Sequence, residues 1–183
     1  MILAAERDLY PDALFADPRP ADGRAWWLAH TRPRQEKALA RHLAAAELSF
    51  YLPCTPNRTR VRGRVLTSYR PLFPGYVFVR VSADERADVY VGNRVARLAP
   101  VGDQDRLWSD LTGVRRLLDL GQPVTAEDCL GPGTPVVVRS GPLAGLTGTV
   151  VRAGSGHKFV VRVDLIQRGV SVVVDRTTLG RLG

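Results

Sequence analysis

Only two cysteines, Cys54 and Cys129, occur in 183 residues, and they stand too far apart in sequence for a metal knuckle or a disulfide framework. Both read as ordinary thiols. Histidine is almost as sparse: His30, His42 and His157 fall in three different expected elements. No HExxH, CxxC, nucleophile elbow or Walker loop is present, and the carboxylates form no obvious pair, so the residue pattern argues against an enzyme, a metal and a cofactor. The nearest thing to a phosphate cradle, "AGSGHKF" at 153–159, has no helix after it to supply a dipole and reads as a hairpin turn. No stretch reaches the ~18 apolar residues a membrane helix needs. The start "MILAAERDLYPDALF", with Glu6, Asp8 and Asp12, lacks the basic flank and apolar run of a secretory signal. The expectation is a cytoplasmic, monomeric protein with no membrane contact.

What the chain does have is positive charge, unevenly placed. The net charge is +8. Residues 1–23 carry two Arg against five acids (−3) and residues 24–80 eleven Lys/Arg against two (+9). Residues 81–130 carry six Arg against nine acids (−3) and 131–183 seven Lys/Arg against two (+5). Two basic segments flank an acidic one, the footprint expected of a protein working beside nucleic acid. Within the first, Arg58, Arg60, Arg62 and Arg64 alternate and would project on one face of a hairpin until the Gly63 turn disturbs the register. They point to phosphate contact, or else to a solvated hairpin whose charges block edge-to-edge pairing.

Periodicity divides the chain further. An N-terminal tail (1–23) is followed by a strand at 25–31, a helix over 33–47 with Pro33 in its first turn, a strand at 49–54, a hairpin over 57–69 and a strand at 75–81. A weak helix at 84–91, a strand at 95–101 and an amphipathic helix over 105–119, where Leu107, Leu111, Val114 and Leu118 recur at helical spacing, complete an α+β domain assigned to 24–118. Residues 119–131 lack periodicity and read as a linker. Beyond it, in 132–183, five short β-branched runs separated by Gly-containing turns predict a small closed barrel. Leu143 and Leu146 lie in one of these turns, where polar residues are the rule; they either fold back over the barrel mouth or meet a partner. On the 75–81 strand, Tyr76 and Phe78 share one face while Val77 and Val79 take the other.

"FPGYVFV" after "AWWLAHTRPRQEKALARHL", followed by "PGTPVVV" and "GPLAGLTGTVV", resembles NusG-type transcription elongation factors: a NusG N-terminal domain and a KOW motif. "VRGR" before "PLFPGYVFV", and "LWSDLTGVRRLLDLG" before the barrel, look especially like the specialised RfaH-like, polysaccharide-operon antiterminator paralogues. The resemblance implies an RNP-like antiparallel sheet flanked by helices, then a small SH3-like barrel. It implies that Trp27, His30, Phe73, Tyr76 and Phe78 meet the clamp helices of RNA polymerase, and that Arg32, Arg34, His42, Asn93 and Arg94, with the hairpin arginines, meet non-template DNA or nascent RNA. It places a ribosomal-protein or Rho contact on Leu143 and Leu146. The implied function is suppression of pausing and termination on selected operons; the alternatives are a housekeeping factor coupling polymerase to Rho and the ribosome, or a structural RNA-binding KOW protein. The sequence departs from the RfaH pattern at Pro33, in place of a basic residue, and at "ADVYVG", in place of a threonine-rich stretch.

Overall fold

The computed structural model describes residues 7–16, 22–127, 133–153, 156–174 and 179–181. The chain divides into two compact units, residues 1–104 and 105–183. Cys129 lies outside the described residues, as does most of the second half of the expected linker.

The first unit is built on an antiparallel sheet of five strands. β1 (Leu9–Tyr10), β2 (Ala25–Thr31), β3 (Ser49–Tyr51), β6 (Tyr76–Val81) and β7 (Val95–Pro100) are ordered β1-β3-β6-β2-β7. Between β3 and β6 the chain leaves the sheet as a separate two-stranded hairpin, β4 (Cys54–Val61) and β5 (Arg64–Pro71). Helices α1 (Glu36–Ala45) and α2 (Arg86–Val89) are the unit's two α-helices among the described residues.

Alternation along the strands explains the core. Ala29, Val77, Val79 and Val81 point to one face and join Leu39, Ala40 and Leu43 of α1 in a buried cluster. Each of these valines and leucines taken from water contributes roughly 1.5–3 kcal/mol, the alanines less. α1 begins at Glu36, not at Pro33, because Arg34 takes a left-handed φ of 62°, which no α-helix continues through.

The N-terminal segment is more than a tail. Leu9 and Tyr10 pair with Tyr51 and Phe50, and Leu9 and Leu14 are buried. The Phe15 ring lies 6.2 Å from Trp26 and meets Tyr51 edge-on at 5.0 Å.

The second unit holds helix α3 (Gln104–Asp119), apart from its first residue, and an antiparallel sheet of six strands. These are β8 (Thr125–Glu127), β9 (Thr134–Val138), β10 (Thr147–Ala153), β11 (Gly156–Val163), β12 (Arg168–Val174) and β13 (Leu179–Arg181), ordered β13-β9-β10-β11-β12-β8. The five predicted runs form strands; among the described residues the edge strands β13 and β8 do not pair with each other. β8 comes from the stretch expected to be linker. Its short polar sequence carries no strand pattern and is held by pairing with β12 and by Glu127, whose carboxylate accepts from Ser171 Oγ at 2.6 Å and Lys158 Nζ at 3.0 Å. The 104/105 division also differs from the boundary expected at 118 by the length of α3. A Cβ on Gly113 of α3 would lie 2.9 Å from Val161 Cγ1 and 3.1 Å from Leu146 Cδ1, so the helix backbone rests directly on barrel residues.

Candidate functional site

The "FPGY" stretch is a turn that feeds β6. Gly75 has φ 85°, a conformation natural to glycine, and its N–H donates to Glu36 Oε1 at 2.7 Å while its carbonyl accepts from Thr31 N at 2.9 Å. The turn therefore ties β6 to α1 and to the end of β2. It sends Tyr76, Phe78 and Arg80 to the sheet face opposite α1.

On that face the side chains have unequal access. Phe78 is fully buried, with the Phe73 ring edge-on at 6.3 Å, and Phe73 is buried too. Both expected polymerase contacts are buried core residues here. Arg80 is also buried; its Nη1 and Nη2 donate to the two carboxylate oxygens of Asp22 at 2.8 and 2.5 Å. That hydrogen-bonded guanidinium holds the Asp22 carboxyl below its ordinary range.

His30 and Tyr76 lie directly opposite on β2 and β6, half-buried, with rings edge-on at 5.0 Å. Arg97 of β7 pairs with His30 from the other side and is exposed. Tyr76, His30 and Arg97 thus form one row across three strands. Sequence reasoning misses Arg97, because its place beside His30 depends on the β2–β7 register.

The family resemblance groups Trp27 with His30, yet three residues along a strand put them on opposite faces. Trp27 packs on the α1 side, with the Arg86 guanidinium 4.9 Å above its ring. Together with Ala83, Ala87, Tyr90 and Leu98 they line an open pocket of about 330 Å³.

The residues assigned to nucleic acid separate into three places. Arg32, Asn93 and Arg94 come together: Arg32 Nη2 donates to Asn93 Oδ1 at 2.9 Å, Arg32 N to the Arg94 carbonyl at 2.9 Å, and Arg94 Nη1 to the Val91 carbonyl at 3.0 Å. Gly92, at φ 83°, makes room for this, since a Cβ there would fall 1.9 Å from Arg94 Nη1. His42 instead has Nε2 2.8 Å from the Asp88 carbonyl of α2. Arg34 is exposed in its left-handed turn.

The third place is the hairpin. Arg62 (φ 48°) and Gly63 (φ 78°) close it as a two-residue turn of the primed kind, whose twist suits β-hairpins. The register puts Arg60 opposite Val65 and Arg58 opposite Thr67, but Arg64 opposite Val61 and Arg70 opposite Thr55. Directly paired residues share a face, so Arg58 and Arg60 lie on one face and Arg64 and Arg70 on the other. The row of arginines is divided at the turn, where the sequence places a break in register at Gly63.

In the second unit, Leu143 and Leu146 are both buried. The turn that holds them is closed by Gly145 N to the Val138 carbonyl at 2.8 Å and Leu146 N to the Leu143 carbonyl at 2.9 Å. Arg116 of α3 donates to the Pro142 and Ala144 carbonyls at 3.2 and 2.9 Å. The folded-back reading therefore holds for both leucines. Nearby Asp110 accepts from Asp164 N and pairs with Arg106 at 3.0 Å each. Burial nevertheless pushes its carboxyl up to about 6.

Among the described residues no group of His, Cys, Asp and Glu could hold a metal ion, and no helix is long and apolar enough to cross a membrane. The class of protein that the fold and these surfaces define is an α+β unit followed by a unit of one helix and a six-stranded antiparallel sheet, presenting arginine-rich and aromatic surfaces. The family model "NusG: Transcription termination factor nusG" matches residues 24–126, more than half of the chain. The chain belongs to the NusG family, whose members are transcription factors rather than enzymes. The solved structure "Domain interaction in Thermotoga maritima NusG" is 19% identical, with 87% of this chain and 98% of that chain covered at a TM-score of 0.46. "Crystal Structure of MjSpt4:Spt5 complex conformation B" is 15% identical, with 86% and 96% covered at a TM-score of 0.26. No curated protein sequence matches the chain significantly.

Proposed function

We propose that this NusG-family protein is an elongation regulator that binds RNA polymerase through the Tyr76–His30–Arg97 row and suppresses pausing or termination on selected operons, as the RfaH-like paralogues do. The observation that carries this reading is an aromatic pair left half-open on a sheet face where Phe78, Leu28, Trp26 and Arg80 are buried. A half-wet tyrosine with a polar tip is the residue type that serves as an interface anchor. The clamp helices would sit on this row; Arg32, Asn93 and Arg94 would lie beside the non-template strand, with the hairpin arginines as further nucleic-acid contacts. Coupling to Rho or a ribosomal protein through Leu143 and Leu146 is disfavoured by their burial.

The test is Tyr76→Ala in the full chain. Binding to a purified clamp-helix fragment of polymerase should weaken by about 2–4 kcal/mol, the usual cost of truncating an aromatic anchor, with folding stability nearly kept. Normal clamp binding by the variant would overturn the proposal.

A further inference from the structure

We infer that the β4–β5 hairpin is a tip-first reader of the major groove of B-form duplex DNA. The inference rests on the nucleic-acid reading of the hairpin above and names the kind of nucleic acid it takes.

Charge gives the first argument. No acidic residue occurs from Leu48 to Ala83, so nothing local neutralises the hairpin. Arg58, Arg60, Arg62 and Arg64 are exposed, and none makes an ion pair or side-chain hydrogen bond among the described residues. Guanidiniums held together without counter-charges suit a partner whose phosphates supply them.

Shape selects the duplex. A strand pair with side chains on both faces is about 10 Å thick, which a major groove of about 12 Å admits and a minor groove of about 6 Å does not. The arginines stand on both faces of this ribbon, so one inserted between two phosphate walls offers cations to each: Arg58 and Arg60 to one side, Arg64 to the other. A single strand has one backbone and would use one face. The A-form groove of duplex RNA is too deep and narrow for such entry.

Depth accounts for the apolar side chains at the tip. A groove about 8.5 Å deep takes between two and three residues of each strand at about 3.3 Å per residue. Those residues include Val65 and Leu66, which are 59% and 41% exposed although large and apolar. Val65 shares its face with Arg60 and Leu66 with Arg64, and at the depth of the groove floor both would lie against base edges, where thymine methyl groups are the apolar feature. A purely solvated hairpin gives them no role.

The test uses the full chain with a 20-base-pair DNA duplex, one of its single strands, and the RNA duplex of the same sequence, by fluorescence anisotropy from 50 to 200 mM salt. Arg58→Gln/Arg60→Gln and Arg64→Gln alter one face each, and a thermal melt confirms that each variant is folded. The wild type should prefer duplex DNA, methyl green in the major groove should compete, and netropsin in the minor groove should not. The Arg58→Gln/Arg60→Gln variant should flatten the log–log salt slope by about 1.8 and Arg64→Gln by about 0.9, at about 0.9 for each phosphate that is no longer neutralised. Weakening by only one of the two face variants overturns two-walled insertion. Preference for the single strand or for duplex RNA overturns the duplex-DNA reading while leaving nucleic-acid binding standing. Unchanged binding of every nucleic acid by both variants overturns the nucleic-acid reading of the hairpin itself.

Discussion

β5 and β6 follow one another in the chain, separated by residues 72–75, and both are strands rich in β-branched or aromatic residues. Their fates are opposite. β6 is buried from Val77 to Val81, including Arg80, whereas β5 is exposed from Arg64 to Leu66 and nowhere fully buried. The difference lies in neighbours: β6 has a strand on each side and Asp22 to meet its arginine, while β5 has only β4. Strand propensity therefore says little about whether an arginine is a structural member or a free charge; a paired carboxylate decides it.

The largest effect that sharpens this comparison is expected within β6 itself. Phe78→Ala should cost about 3–5 kcal/mol of folding stability, as truncation of a fully buried aromatic does. Tyr76→Ala, two residues earlier on the same face, should cost far less. Urea denaturation followed by tryptophan fluorescence separates them; equal losses would mean that Tyr76 is core as well, and the open aromatic row would disappear.

A smaller loss is expected where the arginine of β6 loses its partner. Asp22→Asn removes the carboxylate that meets the buried Arg80, which should cost about 2 kcal/mol, below the ~3–5 kcal/mol of a wholly buried pair because the Asp22 side chain is itself 36% exposed. The pH dependence has a definite sign. Because the Asp22 carboxyl is held low in the folded protein, its contribution is present above its ordinary pKa of about 3.9 and fades as pH falls through that value towards the lowered one. Asn should remove this part of the acid-side decline. A variant as stable as the parent would place Arg80 in the same class as the arginines of β5.

The order of strands and helices is legible in the sequence because alternation and helical spacing are local. β6, the hairpin and α3 fall near their expected limits for that reason. What escapes depends on pairing at a distance. β1 and β8 are two and three residues long and acquire their structure from β3 and β12. Arg97 joins the aromatic row only through the β2–β7 register. Parity alone separates Trp27 from His30; it is the family resemblance, not the residue spacing, that groups them. The division of the hairpin arginines follows from the turn: a two-residue loop at Arg62–Gly63 sets Val61 against Arg64 and so fixes which face each arginine takes.

The smallest effect tests the hairpin's independence from the fold. Replacing Arg58, Arg60, Arg64 and Arg70 together with Gln should change stability by no more than about 0.5 kcal/mol, the range of surface substitutions that break no cap, pair or core packing. The sign should lean towards stabilisation. Arg58 and Arg60 are two residues apart on one strand, about 6.6 Å along it, so the parent carries like charges that repel without compensation. Gln removes that repulsion while keeping a long polar side chain in each place. Salt gives a second reading of the same term: it screens the repulsion, so any advantage of the variant should shrink between 20 mM and 500 mM salt. A destabilisation above ~1 kcal/mol at low salt would show that these guanidiniums hold the hairpin together, and β5 would then stand with β6 as a structural strand.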